Sequence, residues 1–163
     1  MNIDGVELLD FTILSDEKKL EILTWRNHPE VRKWMLNSDI IFNDTHMQFV
    51  DTLQHDKANR YFLLHKEKQE IGVVYFNNIH NEECAIGLYA NPFELIKGTG
   101  DILVSTAIKY AFDSLNLKRI VLEVFSDNER AIALYKRYRF YEYERRQAND
   151  KELICMELYN ENR

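Results

Sequence analysis

The sequence predicts an α+β fold, α/β in its three-layer form, with a mixed central sheet of about seven strands between flanking helices. Three observations predict it. Strand-like and helix-like runs follow one another in the order β-αα(α)-βββ-α-β-α-ββ. RYFLLHK and EIGVVYFNNI, joined by the polar turn EKQ, read as an antiparallel hairpin, whereas the strand–helix–strand passages from Glu83 to Phe140 require crossovers. The 163 residues carry two prolines and no repeat or low-complexity linker, which predicts one domain over 1–163.

Taken in order, VELLDFTIL (Val6–Leu14) reads as a first strand. DEKKLEILTWRN has Leu20, Ile22 and Leu23 on one side and Asp16 and Glu17 at its positive end, so it reads as a helix. Pro29 suits the first turn of a second helix, PEVRKWM. NDTHMQFVDTLQHD reads as a third, capped by Asn43 or Asp44, with Met47, Val50, Leu53 and Gln54 marking its spacing. The hairpin follows, then the strand ECAIGLYA, the loop NPFELIK and a long helix Thr99–Leu115. Val104, Ala107 or Ile108, Ala111 and Leu115 make its apolar stripe. RIVLEVF is continuously apolar before Glu123, which predicts a strand buried on both faces. DNERAIALYKRYRF reads as the last helix, with Ser126 and Glu129 at capping-box spacing. YEYERR and ELICMELY are strands around the turn QAND.

Composition excludes several classes. A net charge of −6 disfavours a general nucleic-acid or anionic-membrane binder, which needs a basic face. Cys84 and Cys155 are the only cysteines, with no CxxC and no His-Cys cluster, so neither a disulfide framework nor a metal site is expected. No apolar run approaches the roughly 18 residues of a membrane span. MNIDGVELLD has no basic n-region or cleavage site, and a cytoplasmic location is expected.

The chemistry concentrates in ELIKGTGDIL, Glu94–Leu103, where Gly98 and Gly100 stand at the predicted helix start. The first N–H groups of a helix lack internal partners, and the macrodipole makes that end positive. Glycines there let an anion approach the backbone. The GxxxxGK[ST] phosphate loop is absent, and the dinucleotide GxGxxG fails because Leu103 holds the third position. In the last predicted helix, Ala131, Leu134, Tyr135 and Tyr138 share one apolar face, so spacing alone makes Tyr135 a core tyrosine.

In order along the chain come a strand ending GLYANP, a loop, GxG opening a helix, an apolar strand, and a helix reading N-x-x-A-x-x-x-Y-x-x-x-x-F. This pattern resembles the Gcn5-related N-acetyltransferase (GNAT) superfamily. The first position of that family's (Q/R)xxGxG/A motif is Leu95 here, so the grip on a pyrophosphate rests on backbone rather than side chain. The resemblance implies the GNAT fold, with a V-shaped splay between two central strands, and acetyl-coenzyme A as cosubstrate without a metal. It implies that Lys97, Gly98, Thr99, Gly100 and Asp101 hold the pyrophosphate. Leu88, Tyr89 and Ala90 would lie along the pantetheine arm, on a strand where Gly87 suits a bulge, and a backbone N–H near Tyr89 or Ala90 would polarise the thioester carbonyl. Asn128, Ala131 and Lys136 would contact the coenzyme, and Tyr135 would protonate the departing thiolate. No general base is evident: ordered water, Glu83 and Glu123 all stay open.

The N-terminal half bears on the acceptor. Arg26 suits a diphosphate, and aromatics suit a nucleobase or a sugar face. W-R-N-H-P, W-M, T-H-x-Q-F, R-Y-F-L and G-x-Y-x-N-P-F together resemble the superfamily branch serving pseudaminic acid biosynthesis for flagellin glycosylation. That implies a UDP-aminosugar acceptor, the 4-amino group of UDP-4-amino-4,6-dideoxy-N-acetyl-β-L-altrosamine, in a cleft lined by Arg26, Trp34, Met35, His46, Phe49, Tyr89 and Glu123. A protein N-terminus as acceptor and a non-catalytic coenzyme-A-binding domain are the alternatives. A homodimer is compatible with the sequence.

Overall fold

The computed structural model describes residues 1–163. Its strands are β1 (Asn2–Ile3), β2 (Val6–Asp10), β3 (Arg60–Lys66), β4 (Gln69–His80), β5 (Glu83–Ala90), β6 (Arg119–Phe125), β7 (Tyr141–Ala148) and β8 (Lys151–Tyr159). Its α-helices are α1 (Asp16–Arg26), α2 (Pro29–Arg32), α3 (Asn43–Leu53), α4 (Thr99–Lys109) and α5 (Glu129–Arg137). One mixed sheet runs β1-β2-β3-β4-β5-β6-β8-β7, and only β5–β6 is parallel.

Strand alternation gives the sheet two apolar faces. On one, Leu64, Val74, Phe76, Ile120, Leu122, Met156 and Leu158 meet Leu103, Val104, Ala107 and Ala111 of the long helix and Tyr135 of α5. On the other, Leu63, Val73 and Tyr89 pack with Ile22, Trp25, Val31, Val50 and Leu53 of α1–α3.

The strand that divides these halves is β5. It pairs with β4 from Gly72↔Ala90 to His80↔Glu83, but with β6 only at Glu83↔Arg119, Cys84↔Ile120 and Ala85↔Val121. Beyond Ala85 the two strands part. The sheet is therefore split from Ile86 onward, and the split opens toward the start of α4.

The elements match the expected order, with corrections at their ends. An eighth strand exists because the two-residue β1 folds back on β2. The first predicted strand stops at Asp10, whose carboxylate accepts from the Thr12 N–H (2.9 Å) and starts a 3-10 turn over Phe11–Ile13. Helix α2 ends at Arg32 rather than Met35. Neither Asn43 nor Asp44 caps α3; Phe42 occupies that position with no side-chain cap. The long helix leaves α geometry at Tyr110 and finishes as a π-helix over Tyr110–Ser114. Asn128, not Ser126, caps α5, accepting from the Ala131 N–H at 3.3 Å. Strand β6 is buried on one face only, because Arg119, Val121 and Glu123 point to the other, more open side. The register shift expected at Gly87 lies instead between Asn77 and His80.

Gly72 shows how tightly the β4–β5 half is built. A Cβ there would meet the Tyr89 carbonyl oxygen at 2.4 Å and the Ala90 Cα at 2.9 Å, both backbone atoms that cannot move independently. We expect Gly72→Ala to destabilise the protein by about 2–3 kcal/mol through overpacking, read as a lower midpoint in chemical denaturation at unchanged m-value.

Candidate active site

The glycine loop lies at the mouth of the split. Gly98 is the N-cap of α4 and adopts φ +83, a left-handed conformation that side chains disfavour. The Thr99 N–H donates to the Ile96 carbonyl (3.2 Å) and the Ile102 N–H to the Gly98 carbonyl (3.0 Å). The N–H groups of Lys97, Gly98, Gly100 and Asp101 have no partner within the protein. Four donors at a positive helix end make an anion cradle. Two residues of the expected set are used differently. Thr99 is buried, its hydroxyl bonded to the Ile96 carbonyl at 2.6 Å, so it holds the loop rather than facing outward. The Asp101 carboxylate binds Arg137 (2.9 Å) and the Tyr138 hydroxyl (3.1 Å), and Arg137 holds it below the usual carboxylate range, leaving only its N–H for the cradle.

Those contacts lock α5 to the start of α4. A Cβ on Gly100 would lie 2.9 Å from a Leu134 methyl, so glycine there permits the close approach. Tyr135 follows Leu134 and points into the core beside Phe140, ring centroids 5.9 Å apart. Burial pushes its phenol up to about 12. Asn128 and Ala131 are occupied with each other as the helix cap, and Lys136 is exposed. Leu88 and Ala90 are half-buried against the α4-side core, on the part of β5 that β6 has left.

The opposite side of the split is aromatic and cationic. Tyr61 and Tyr75 stack at 4.8 Å and 8°, Phe49 meets Tyr61 edge-on at 4.9 Å, and Tyr89 lies 6.4 Å from Tyr75. Burial raises all three phenols, and the Arg26 charge pulls each partly back. The guanidinium is therefore near enough for its charge to act on all three tyrosines. Arg26 Nη2 donates to the Asn37 carbonyl (2.8 Å), whereas Nη1 is enclosed with no partner. An enclosed, unpaired guanidinium N–H is costly, which points to a ligand that accepts from it.

Not every expected residue joins this group. His46 is buried between α3 and α1, its Nε2 donating to the Lys19 carbonyl at 2.9 Å, so it is a packing residue rather than a cleft residue. Trp34 lies between Lys33 and Lys151, 5.3 and 5.7 Å from its ring, and Met35 packs against the α1–α3 core. Glu123 is exposed on the open face of β6 and ion-paired to Arg146, and Glu83 is ion-paired to Arg119 at 2.6 Å. Both candidate bases thus already carry an arginine. Tyr61 and Tyr75 were not anticipated as site residues. Their alternation within a hairpin was visible, but their pairing depends on a bulge that turns carry no sign of.

Comparison with known proteins identifies the family of the chain. Residues 9–141 match the family model described as an acetyltransferase (GNAT) domain. The chain belongs to the GNAT acetyltransferase family. It is 37% identical over 153 residues to Acetyltransferase PseH of Campylobacter jejuni subsp. jejuni, covering 93% of each chain. The crystal structure of Campylobacter jejuni N-acetyltransferase PseH in complex with acetyl coenzyme A superposes with a TM-score of 0.78 at 31% identity, covering 95% of this chain and 99% of that one. Spermidine N-acetyltransferase from Vibrio cholerae, in complex with CoA and spermine, shares the fold alone, with a TM-score of 0.86 at 21% identity, covering 98% of each chain.

His46 provides a test independent of ligands. Burial depresses its pKa below the ordinary value of 6.5. A depressed histidine binds protons more readily unfolded, so its contribution is present above about 6.5 and lost as pH falls through that value. Thermal melts between pH 7.5 and 5 should show a fall in Tm that is smaller in His46→Gln than in the native protein.

Proposed function

We propose that this protein transfers the acetyl group of acetyl-coenzyme A directly to the 4-amino group of a UDP-linked aminosugar, UDP-4-amino-4,6-dideoxy-N-acetyl-β-L-altrosamine, in pseudaminic acid biosynthesis. One observation carries the reading. The unpaired N–H groups of Lys97, Gly98, Gly100 and Asp101 stand at one end of the β5–β6 split, and a buried phenol, Tyr135, is fixed to the same helix start. A diphosphate seated on those donors sends its extended arm along Leu88–Ala90, where β5 lacks a neighbour on that side. The likeness to Campylobacter jejuni PseH, solved with acetyl coenzyme A, supports the choice of cosubstrate.

The acceptor enters from the α1–α3 side. Arg26 offers an enclosed N–H to an anionic group, and Phe49 and Tyr61 offer rings to a base or sugar face. A cationic and aromatic lining opposes a polyamine and suits an amine that carries a diphosphate. Holding amine and thioester in one split supplies proximity. The amine attacks the acyl carbon, the carbon–sulfur bond breaks, and Tyr135 meets the departing thiolate. A phenol near 12 lies some 3.5 pH units above a free thiol of ~8.5, so early transfer is uphill by about 5 kcal/mol. Tyr135 therefore donates a hydrogen bond to developing charge and passes its proton late. With Glu83 and Glu123 ion-paired, ordered water takes the proton from the amine.

Tyr135→Phe should lower turnover at least ~100-fold and change acetyl-coenzyme A affinity little. Free-thiol release and calorimetry measure the two. Release with N-terminal peptides but not with the UDP-aminosugar would overturn the proposed acceptor.

A further inference from the structure

Tyr75 has no role in the scheme above, yet its placement is the least ordinary in the site. It pairs with Gly87 across β4–β5, and its ring lies over that glycine. A Cβ on Gly87 would lie 2.0 Å from the tip of the ring and 2.2 Å from the hydroxyl oxygen. The ring thus reaches across β5, and Gly87 is the residue that allows it. Gly87 stands two positions past Ala85, the last residue of β5 to pair with β6. The hydroxyl is therefore carried to the edge of β5 that borders the split, and it makes no hydrogen bond within the protein.

The two phenols belong to opposite faces of the sheet. Tyr75 belongs with the α1–α3 cluster, through Tyr61 and Tyr89. Tyr135 belongs with the α4–α5 core. They are close enough for a charge on Tyr135 to weigh on Tyr75. An acyl group threaded between β5 and β6 consequently has Tyr135 on its coenzyme side and Tyr75 on its acceptor side.

We propose that Tyr75 binds the attacking amine: laid across Gly87, it holds its hydroxyl oxygen where it accepts a hydrogen bond from the acceptor N–H and turns the nitrogen lone pair toward the thioester. This rests on the acetyl transfer proposed above and adds the residue that orients the nucleophile. The chemistry favours a phenol for the task. Burial holds Tyr75 protonated, so it presents a neutral acceptor. A carboxylate in its place would stabilise the ammonium form, which has no lone pair to attack with. The surrounding groups agree: Tyr61, Tyr89 and Tyr135 are neutral phenols with raised pKa values, and Arg26 disfavours a second cation. Tyr75 itself transfers no proton. The acyl carbon gains nitrogen and loses sulfur, the amine proton leaves to water, and the thiolate proton comes from Tyr135, which solvent replenishes.

Tyr75→Phe removes the oxygen and keeps the ring over Gly87. In steady-state thiol-release assays it should lower kcat about tenfold, the size of one lost hydrogen bond, with acetyl-coenzyme A affinity and Tm unchanged. The acid limb of kcat, which reports the bound amine, should move to lower pH, because an ammonium donates to the phenol oxygen more strongly than an amine does and loses more when that oxygen is removed. Gly87→Ala, whose Cβ displaces the ring, should reproduce both effects. A kcat within twofold of the native protein, or a lowered kcat with an unmoved limb, would overturn the proposal. If the native protein acetylates another amine instead of the UDP-aminosugar, the acceptor reading fails, and the same pair of variants is run on that amine with the same criteria.

Discussion

The parting of β5 from β6 after Ala85 and Val121 is the constraint on which the rest depends. Strand β6 keeps full pairing with β8, from Arg119↔Tyr159 to Phe125↔Leu153, and β5 keeps full pairing with β4. Each strand is therefore secured on its outer edge and left bare on the inner one. Bare backbone polar groups inside a protein are costly unless something pairs with them. Under the proposed function, the extended arm of the coenzyme pairs with that gap and its diphosphate meets the unpaired N–H groups before α4. The position of the cleft thus follows from hydrogen bonds the sheet does not make.

The two sides of the gap differ in chemistry because different layers cover them. On the α4–α5 side the long helix and α5 are clamped together by Leu134 on Gly100 and by Asp101 with Arg137 and Tyr138. That clamp fixes Tyr135 relative to the anion cradle. On the α1–α3 side, Tyr61, Tyr75, Phe49 and Arg26 make a lining with one fixed positive charge and no free carboxylate among them. The α4 side of the gap thus offers backbone donors, and the α1–α3 side is built from side chains.

Much of the fold was legible because its signals are local. The hairpin turn Glu67–Lys68, the helix opened by Gly98 and the strand–helix–strand order each depend on neighbours in sequence. The misreadings share a cause. Asn128 rather than Ser126 caps α5, and His46 rather than Met47 turns inward on α3, because the choice was made by partners elsewhere: the packed end of β6 and the Lys19 carbonyl. In the sequence Gly87 suits a bulge, but no register shift occurs there. Its actual neighbour is the Tyr75 ring, twelve residues earlier.

The tyrosines on the α1–α3 face mark the boundary most clearly. A hairpin closed at Lys66 and Gln69 would place Tyr61 opposite Val74, on the other face. The bulge between Leu64 and His65 shifts the register by one, so Tyr61 meets Tyr75, and Tyr75 in turn meets Gly87. By itself the sequence determined the order of elements, the glycine-opened helix start and the family pattern around Tyr135, since each is written in residues within a few positions of one another. Tertiary structure alone decided how far β5 and β6 pair, which carboxylates find arginines, and which phenols face the gap. Those depend on register and packing between separate segments, from Tyr61 with Tyr75 to Ala85 with Val121, and one inserted residue reverses the face that every later side chain presents.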